Sequence, residues 1–365
     1  MGNYAQKLAD MRSRRLGVDS VAVLSKSAEF AEATTFREAY ETRSQSEATK
    51  YALGAMQALE PKYTQVSVQE GERVRNQLNT GLQNVGIPVT FEYQGSVPLD
   101  IHIRFASDID LLVLHDEFVT LDWTGPRASF YSRRTGSILD DMLHLRKQCE
   151  LILERQFPMV KVDKTGPKSI SLSGGSLRRK VDVVPSHWHD TATFQATHAK
   201  HDREVKVLHR DERTLLTNRP FLHMKRIEDK DLVTHGGLKK VIRLLKNLKH
   251  DSGKDIKLTS YDIAALAWHL DDADLNKPYY LELSLIAEAQ RYLQLLVNNP
   301  QLAVSLVVPD GSRNIIDLGE KFSALQLLKL EVDQLATDIA RELTPQSYAG
   351  NYEAIRRSLM NAHVL

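Results

Sequence analysis

Two aspartates separated by one residue, Asp108 and Asp110, lie in Ser107-Asp108-Ile109-Asp110-Leu111-Leu112-Val113-Leu114. The run is apolar enough to form a strand, in which successive side chains point to opposite faces. Asp108 and Asp110 then share one face, and Ile109 and Leu111 share the other. A core-facing strand gains nothing from two ionised carboxylates on one side, and their repulsion is relieved by a cation between them. Oxygen-rich sites of this kind suit Mg²⁺ or Mn²⁺. Ahead of the strand, across a ten-residue connector, Gly95-Ser96 supplies a turn. A third carboxylate would complete a two-metal site. Asp182 is the candidate: in Lys180-Val181-Asp182-Val183-Val184-Pro185, Val181 and Val183 point one way and Asp182 the other. Only the fold can bring Asp182 to Asp110. The plainer readings are solvated carboxylates on an edge strand for Asp108 and Asp110, an ion pair with Arg178 or Arg179 for Asp182, and an ordinary turn for Gly95-Ser96.

The surrounding pattern predicts the elements that carry these residues. Apolar positions at helical spacing predict helices over residues 47–59, 66–85 and 138–156. Short apolar or alternating runs predict strands over 87–93, 160–162 and 169–172, then a Gly174-Gly175 turn and a return strand over 177–184 closed by Pro185. Beyond about Lys206 the strand signal fades, and helices are predicted over 236–250, 259–270, 281–297 and 324–343. The chain therefore reads as α+β with a mainly helical second half. The expected divisions are an N-terminal helical extension (1–60), a mixed domain (61–205) and a helical domain (206–365). Arg12-Ser13-Arg14-Arg15 reads as a solvated helix face.

The 365 residues suffice for two domains. No apolar run approaches the roughly 20 residues that span a bilayer, and the first residues lack a signal-peptide core, so a cytoplasmic protein is expected. A single cysteine, Cys149, excludes an internal disulfide and a multi-cysteine zinc site. His187, His189, His198 and His201 match no standard zinc spacing and read as packed or surface histidines. A formal charge of +1 gives no global attraction to nucleic acid, and there is no clear DNA-binding element.

Gly-Ser, ten residues, Ser-Asp-Ile-Asp and a later lone aspartate on a strand resemble the DNA polymerase β-type nucleotidyltransferase superfamily. More narrowly, the chain resembles the cGAS/DncV-like nucleotidyltransferases of bacterial anti-phage systems, relatives of oligoadenylate synthetase. Residues 237–246, Leu258-Thr259-Ser260-Tyr261, and Pro309-Asp310-Gly311 with Asn314 resemble the basic helix, Ser-Tyr pair and late loop of that family's helical domain. The resemblance implies a polymerase β-like core and a helical domain, bilobal with the active site in the cleft. It implies that Asp108, Asp110 and Asp182 hold two Mg²⁺ (or Mn²⁺) ions about 3.5–4 Å apart, activating a ribose hydroxyl and neutralising the leaving pyrophosphate. Gly95 and Ser96 would receive the triphosphate, with Arg243, Lys246 and Ser260 reaching it from the helical domain and Tyr261 stacking on a base. For Arg243 and Lys246 a solvated helix face is the alternative, and for Tyr261 simple packing. Relatives often carry Gly-Thr in the connector, where this chain has Asp100-Ile101. NTPs are the implied substrates, a product-sensing effector and regulatory proteins the implied partners.

The leading expectation is an enzyme joining NTPs into a cyclic di- or trinucleotide messenger, in anti-phage defence. A toxin-like transferase placing NMP on protein or RNA would use the same carboxylates. A non-catalytic nucleotide- or RNA-binding module is opposed by the intact set of three aspartates.

Overall fold

The computed structural model describes residues 3–16, 38–103, 107–316, 319–345 and 350–364, so Arg104, Phe105 and Ala106 of the connector lie outside the described residues. The longer helices are α1 (Tyr4–Leu16), α2 (Glu47–Met56), α3 (Pro61–Asn84), α4 (Ile138–Gln156), α5 (Pro220–Val233), α6 (Gly237–His250), α7 (Ser260–Trp268), α8 (Ser284–Asn298), α9 (Gly319–Leu343) and α10 (Tyr352–Met360). The strands are β1 (Val89–Gln94), β2 (Ile109–Leu121), β3 (Lys161–Asp163), β4 (Ile170–Ser173), β5 (Val181–Asp190), β6 (Glu204–His209) and β7 (Thr214–Asn218). No helix among the described residues is long and apolar enough to cross a membrane.

The chain forms two compact units. One contains Glu60–Asp100 and Ser107–Arg226; the other contains Met1–Leu59, Ile101–Ala106 and Ile227–Leu365. Of residues 1–60, read from the sequence as an extension of their own, the described ones up to Leu59 thus cluster with the C-terminal helices, and Glu60 falls in the other unit. The strand pattern also continues past Lys206: β6 and β7 extend the sheet. β7 pairs only with β6 and is largely exposed, so its Thr-Leu-Leu-Thr-Asn run lacks the apolar alternation that betrays a half-buried strand.

In the first unit the sheet order is β1-β2-β5-β4-β3, with β6 and β7 continuing from β5. β2 and β5 are parallel and the other pairs antiparallel. β5 runs to Asp190 rather than stopping at Pro185. On one edge it pairs with β4 through Val183 and with β6 from Ser186. Pro185 falls between these partners, where the missing N–H leaves no ladder bond unmade.

One face of the sheet carries the main core. Val74, Leu78 and Leu82 of α3 recur at one-turn intervals, and Met142, Leu145, Cys149 and Leu153 form the matching stripe of α4. Both stripes are buried with Ile109, Leu111, Val113, Val181 and Val183. Each such side chain contributes roughly 1.5–3 kcal/mol on leaving water. Burial pushes the Cys149 thiol up to about 12, so it behaves as a small apolar side chain. Arg146 on the same helix is buried too. Its Nε donates to Glu150 at 3.0 Å and its Nη atoms to the carbonyls of Pro167, Lys164 and Gly166 at 3.1, 3.2 and 2.7 Å. The guanidinium fork thereby fastens the β3–β4 loop to α4.

His187 on β5 has acid-sensitive surroundings. A carbonyl only accepts, so Nδ1 donates to Trp188 O at 2.9 Å, leaving buried Nε2 without a partner. Its ring packs on Phe118 (centroids 5.1 Å apart), which packs on His115 (4.9 Å). Burial pushes His187 down to about 4 and lowers His115. The unfolded chain therefore binds these protons more readily, so stability is full above pH 6.5, the ordinary value, and is lost as pH falls towards 4. Urea unfolding at stepped pH is expected to show a loss of about 3 kcal/mol from His187 over that window. His187→Leu should flatten the slope; an unchanged slope would remove His187 from the account.

The second unit corrects one expectation. Arg14 and Arg15 are buried rather than solvated. Arg14 pairs with Asp251 at 2.7 Å and Asn247 at 3.1 Å. Arg15 pairs with Glu38 at 2.6 Å and caps the end of α2 through the carbonyls of Gln57 and Ala58 at 3.1 and 2.7 Å. A sequence shows the charge run but not the carboxylates and carbonyls that allow it to be buried.

Candidate active site

Parallel pairing of β2 and β5 places Asp110 directly beside Asp182. Side chains of cross-strand partners share a face. One row across the sheet therefore reads Gln94, Asp110, Asp182, Ser171, Asp163. The adjacent row, Tyr93, Leu111, Val183, Ile170, packs towards α3 and α4. Further along the polar face, Leu112 and Leu114 join Val184, Trp188, Val205, Val207 and Phe221 in a smaller apolar cluster. The carboxylates thus stand at the N-terminal ends of β2 and β5.

Lys180 stands between two of the three predicted aspartates. Its Nζ lies 2.5 Å from Asp108 Oδ2 and 3.2 Å from Asp182 Oδ2. The other oxygen of Asp182 is buried with no partner. The ion-pair partner of Asp182 is therefore Lys180 rather than Arg178 or Arg179. Lys180 was legible in principle, because it lies two residues before Asp182 at the entry to β5, where an extended chain directs both side chains to one face.

Gly95 has φ +83°. A Cβ there would lie 2.5 Å from Asp110 Oδ2, so the turn's backbone rests against the carboxylate. Ser96 follows, half-buried. In the connector, Asp100 takes φ +54°. That is a glycine-like conformation which aspartate is among the few residues to tolerate. This accounts physically for an aspartate where a Gly-Thr pair is often found. Ile101 is buried.

The donor set fits a hard divalent cation. Two carboxylates already share one positive charge, a third stands beside Asp182 in register, and one buried oxygen has nothing to bond. Among the described residues, however, no three His, Cys, Asp or Glu side chains converge as metal ligands. The Lys180 ammonium takes up the space between Asp108 and Asp182. His187 and His189 are built into β5, and His198 ends a short helix at φ +57°. His201 lies in the following turn.

In the second unit, Arg243 and Lys246 are buried on α6, which removes the solvated-face reading. Arg243 Nε donates to Met56 O at 2.7 Å, and Lys246 Nζ donates to Ile101 O at 2.6 Å. Ser260 is exposed at the start of α7. There Thr259 accepts from the Asp262 N–H at 3.1 Å and Asp262 accepts from the Thr259 N–H at 2.9 Å, a reciprocal cap. Buried Asp262 also pairs with Arg313 at 2.6 Å and Lys321 at 3.5 Å. Tyr261 is half-buried, with Arg313 5.6 Å from its ring centroid. Its hydroxyl donates to Asp310, and burial together with that carboxylate makes the Tyr261 hydroxyl harder to ionise. Asp310, in the late loop, is a buried partner whose role the spacing did not reveal.

A mixed sheet with facing aspartates on parallel strands, a glycine-serine turn against one of them and a following helical unit define a polymerase β-like nucleotidyltransferase. A model of the cGAS/DncV-like nucleotidyltransferase C-terminal helical domain matches residues 225–330. The chain is 41% identical over 313 residues to the cyclic dinucleotide synthase CdnE of Yersinia aleksiciae, spanning 84% of this chain and 81% of the relative. It is 30% identical over 321 residues to a c-di-GMP synthase of a Lachnospiraceae bacterium, spanning 80% and 89%. The solved structure of the STING-associated CdnE c-di-GMP synthase from Capnocytophaga granulosa matches with TM-score 0.72 at 27% identity, covering 93% of this chain and 100% of that one. The chain belongs to the cGAS/DncV-like nucleotidyltransferases, a generally metal-dependent class. Its activity is nucleotidyl transfer in the synthesis of a cyclic nucleotide messenger.

Proposed function

We propose that the product is a cyclic dinucleotide, made from two NTPs at the carboxylates of the first unit and read by a downstream effector in anti-phage defence. The observation that carries the reading is the register of Asp110 with Asp182, beside the Asp108–Lys180–Asp182 cluster. Asp108, Asp110 and Asp182 would hold two Mg²⁺ or Mn²⁺ ions. When bound, the ions lower the pKa of the attacking ribose hydroxyl and offset charge on the departing pyrophosphate. Around that chemistry, the residues bind and orient. The Gly95 backbone and the Ser96 hydroxyl receive the β/γ-phosphates, because an N–H and an O–H turned to an anion do so without desolvated charge. Within the second unit, Ser260 is exposed at a capped helix start, where its hydroxyl is free to serve a nucleotide contact of that unit. Tyr261, its hydroxyl tied to Asp310, keeps its ring in one orientation for a base. Arg243 and Lys246 are the basic candidates for a nucleotide contact within the second unit, where each donates to a backbone carbonyl. Joining is catalysed by holding hydroxyl and α-phosphorus in line.

The names of the relatives support the ring size, and that of the Capnocytophaga granulosa protein supports an effector that senses the product. Incubation of the purified chain with all four NTPs and Mg²⁺ or Mn²⁺ is expected to yield a phosphatase-resistant small product whose mass is that of a cyclic dinucleotide. Label from an α-phosphate appearing on protein or RNA instead would replace this reading with NMP transfer to a macromolecule.

A further inference from the structure

We propose that Lys180 is the resident counter-ion of the carboxylate site, and that a divalent cation enters by displacing its ammonium from Asp108 and Asp182. The inference rests on the reading of these two aspartates as metal ligands. Four observations carry it. Lys180 immediately precedes β5 and its carbonyl accepts from the Ile109 N–H at 3.1 Å, so the extended alternation that directs Asp182 at the site reaches back to Lys180 two residues earlier. Its Nζ is within 3.2 Å of both carboxylates, a position that places one charge between two like charges. Asp182 keeps one buried oxygen unbonded, so the ammonium does not exhaust the donor set. Finally, the Lys180 and Asp108 side chains are 40% and 39% exposed, against 16% for Asp182. The lysine is therefore on the solvent side of the cluster and able to swing away on its four-carbon stem, while Asp182 stays fixed.

Two consequences follow from one charge doing this. Without metal, Lys180 relieves the repulsion between Asp108 and Asp182 and keeps them together. With metal, the same charge opposes the cation, because an ammonium and a divalent ion cannot share the gap. Lys180 thus lowers the site's affinity for free metal while preserving its shape. Metal loading becomes an exchange of one cation for another, weakened by ionic strength as any partly exposed charge interaction is.

The test uses the full chain without nucleotide and follows Mn²⁺ binding by electron paramagnetic resonance. K180M keeps the length of the side chain and removes its charge. It is expected to bind Mn²⁺ roughly three- to tenfold more tightly than the unaltered protein at low salt, the difference narrowing as salt rises. Metal-free K180M should also melt at a lower temperature and gain more from Mn²⁺. K180Q gives the same comparison should K180M fold poorly. Equal or weaker Mn²⁺ binding by both variants would overturn the proposal. D182N separates this from the underlying site assignment. If D182N binds Mn²⁺ as well as the unaltered protein does, the metal lies elsewhere and both readings fall. If D182N loses Mn²⁺ while the Lys180 variants gain nothing, only the displacement proposal falls.

Discussion

Asp110→Asn is expected to lower the initial rate of nucleotide joining by about a thousandfold or more, while the melting temperature moves by only a few degrees. Asp110 stands in the polar row between Gln94 of β1 and Asp182 of β5. Asparagine preserves its shape and its place in the ladder, so the sheet has no reason to change. What is lost is one negative charge at the proposed cation site, and interactions of that kind are worth several kcal/mol to charge development in the transition state. Product formation from radiolabelled NTPs, separated by anion exchange, measures the rate, and circular dichroism the melting. A variant retaining a tenth of the rate would remove Asp110 from the metal site. Asp182→Asn should behave similarly. Asp108→Asn tests the more exposed end of the cluster by the same assay.

Gly95→Ala is expected to lower activity by about a hundredfold and stability by about 1–2 kcal/mol. Two costs coincide at this position. The backbone has φ +83°, which an L side chain rarely adopts. The new methyl would also lie 2.5 Å from Asp110 Oδ2, so the carboxylate or the glycine-serine turn must move. Gly174→Ala separates the two, since φ is +69° there but a Cβ meets nothing within 4 Å. That control should lose comparable stability and keep its activity. If both variants lost activity equally, backbone strain rather than the contact with Asp110 would be responsible. Steady-state rates and urea midpoints for the pair decide the matter.

The parts of this architecture that a sequence reveals are those written in local periodicity. The helix over 138–156 was legible to the residue, because its apolar stripe is long and Ser137 caps it. The alternation around Asp108, Asp110 and Asp182 was legible because carboxylates among branched apolar residues are costly without a purpose. Buried charge was not legible. Arg14, Arg15, Arg146, Arg243 and Lys246 all look solvated in one dimension, and all are buried against carboxylates or carbonyls from elsewhere in the chain. Nor could spacing show that Pro185 sits inside a strand, since that depends on β5 changing its neighbour at that residue. The register of Asp110 with Asp182 belongs to the same category. Each aspartate was suspect alone, but their adjacency is a property of the sheet.

The parallel pairing of β2 with β5 also governs when the site comes into being. Parallel neighbours need a crossover, and here α4 and the β3–β4 hairpin all lie between the two strands. A ribosome extending the chain releases Asp108 and Asp110 long before Asp182. Until β5 arrives, β2 has an open edge on the side that will carry the catalytic pair, and closing so long a loop is a slow step in folding. Catalytic competence therefore appears late and all at once, when the central strand is inserted between β2 and the strands on its other side. A nascent or truncated chain ending before Lys180 has β1 and β2 available to pair, but lacks the third carboxylate and the lysine that neutralises it.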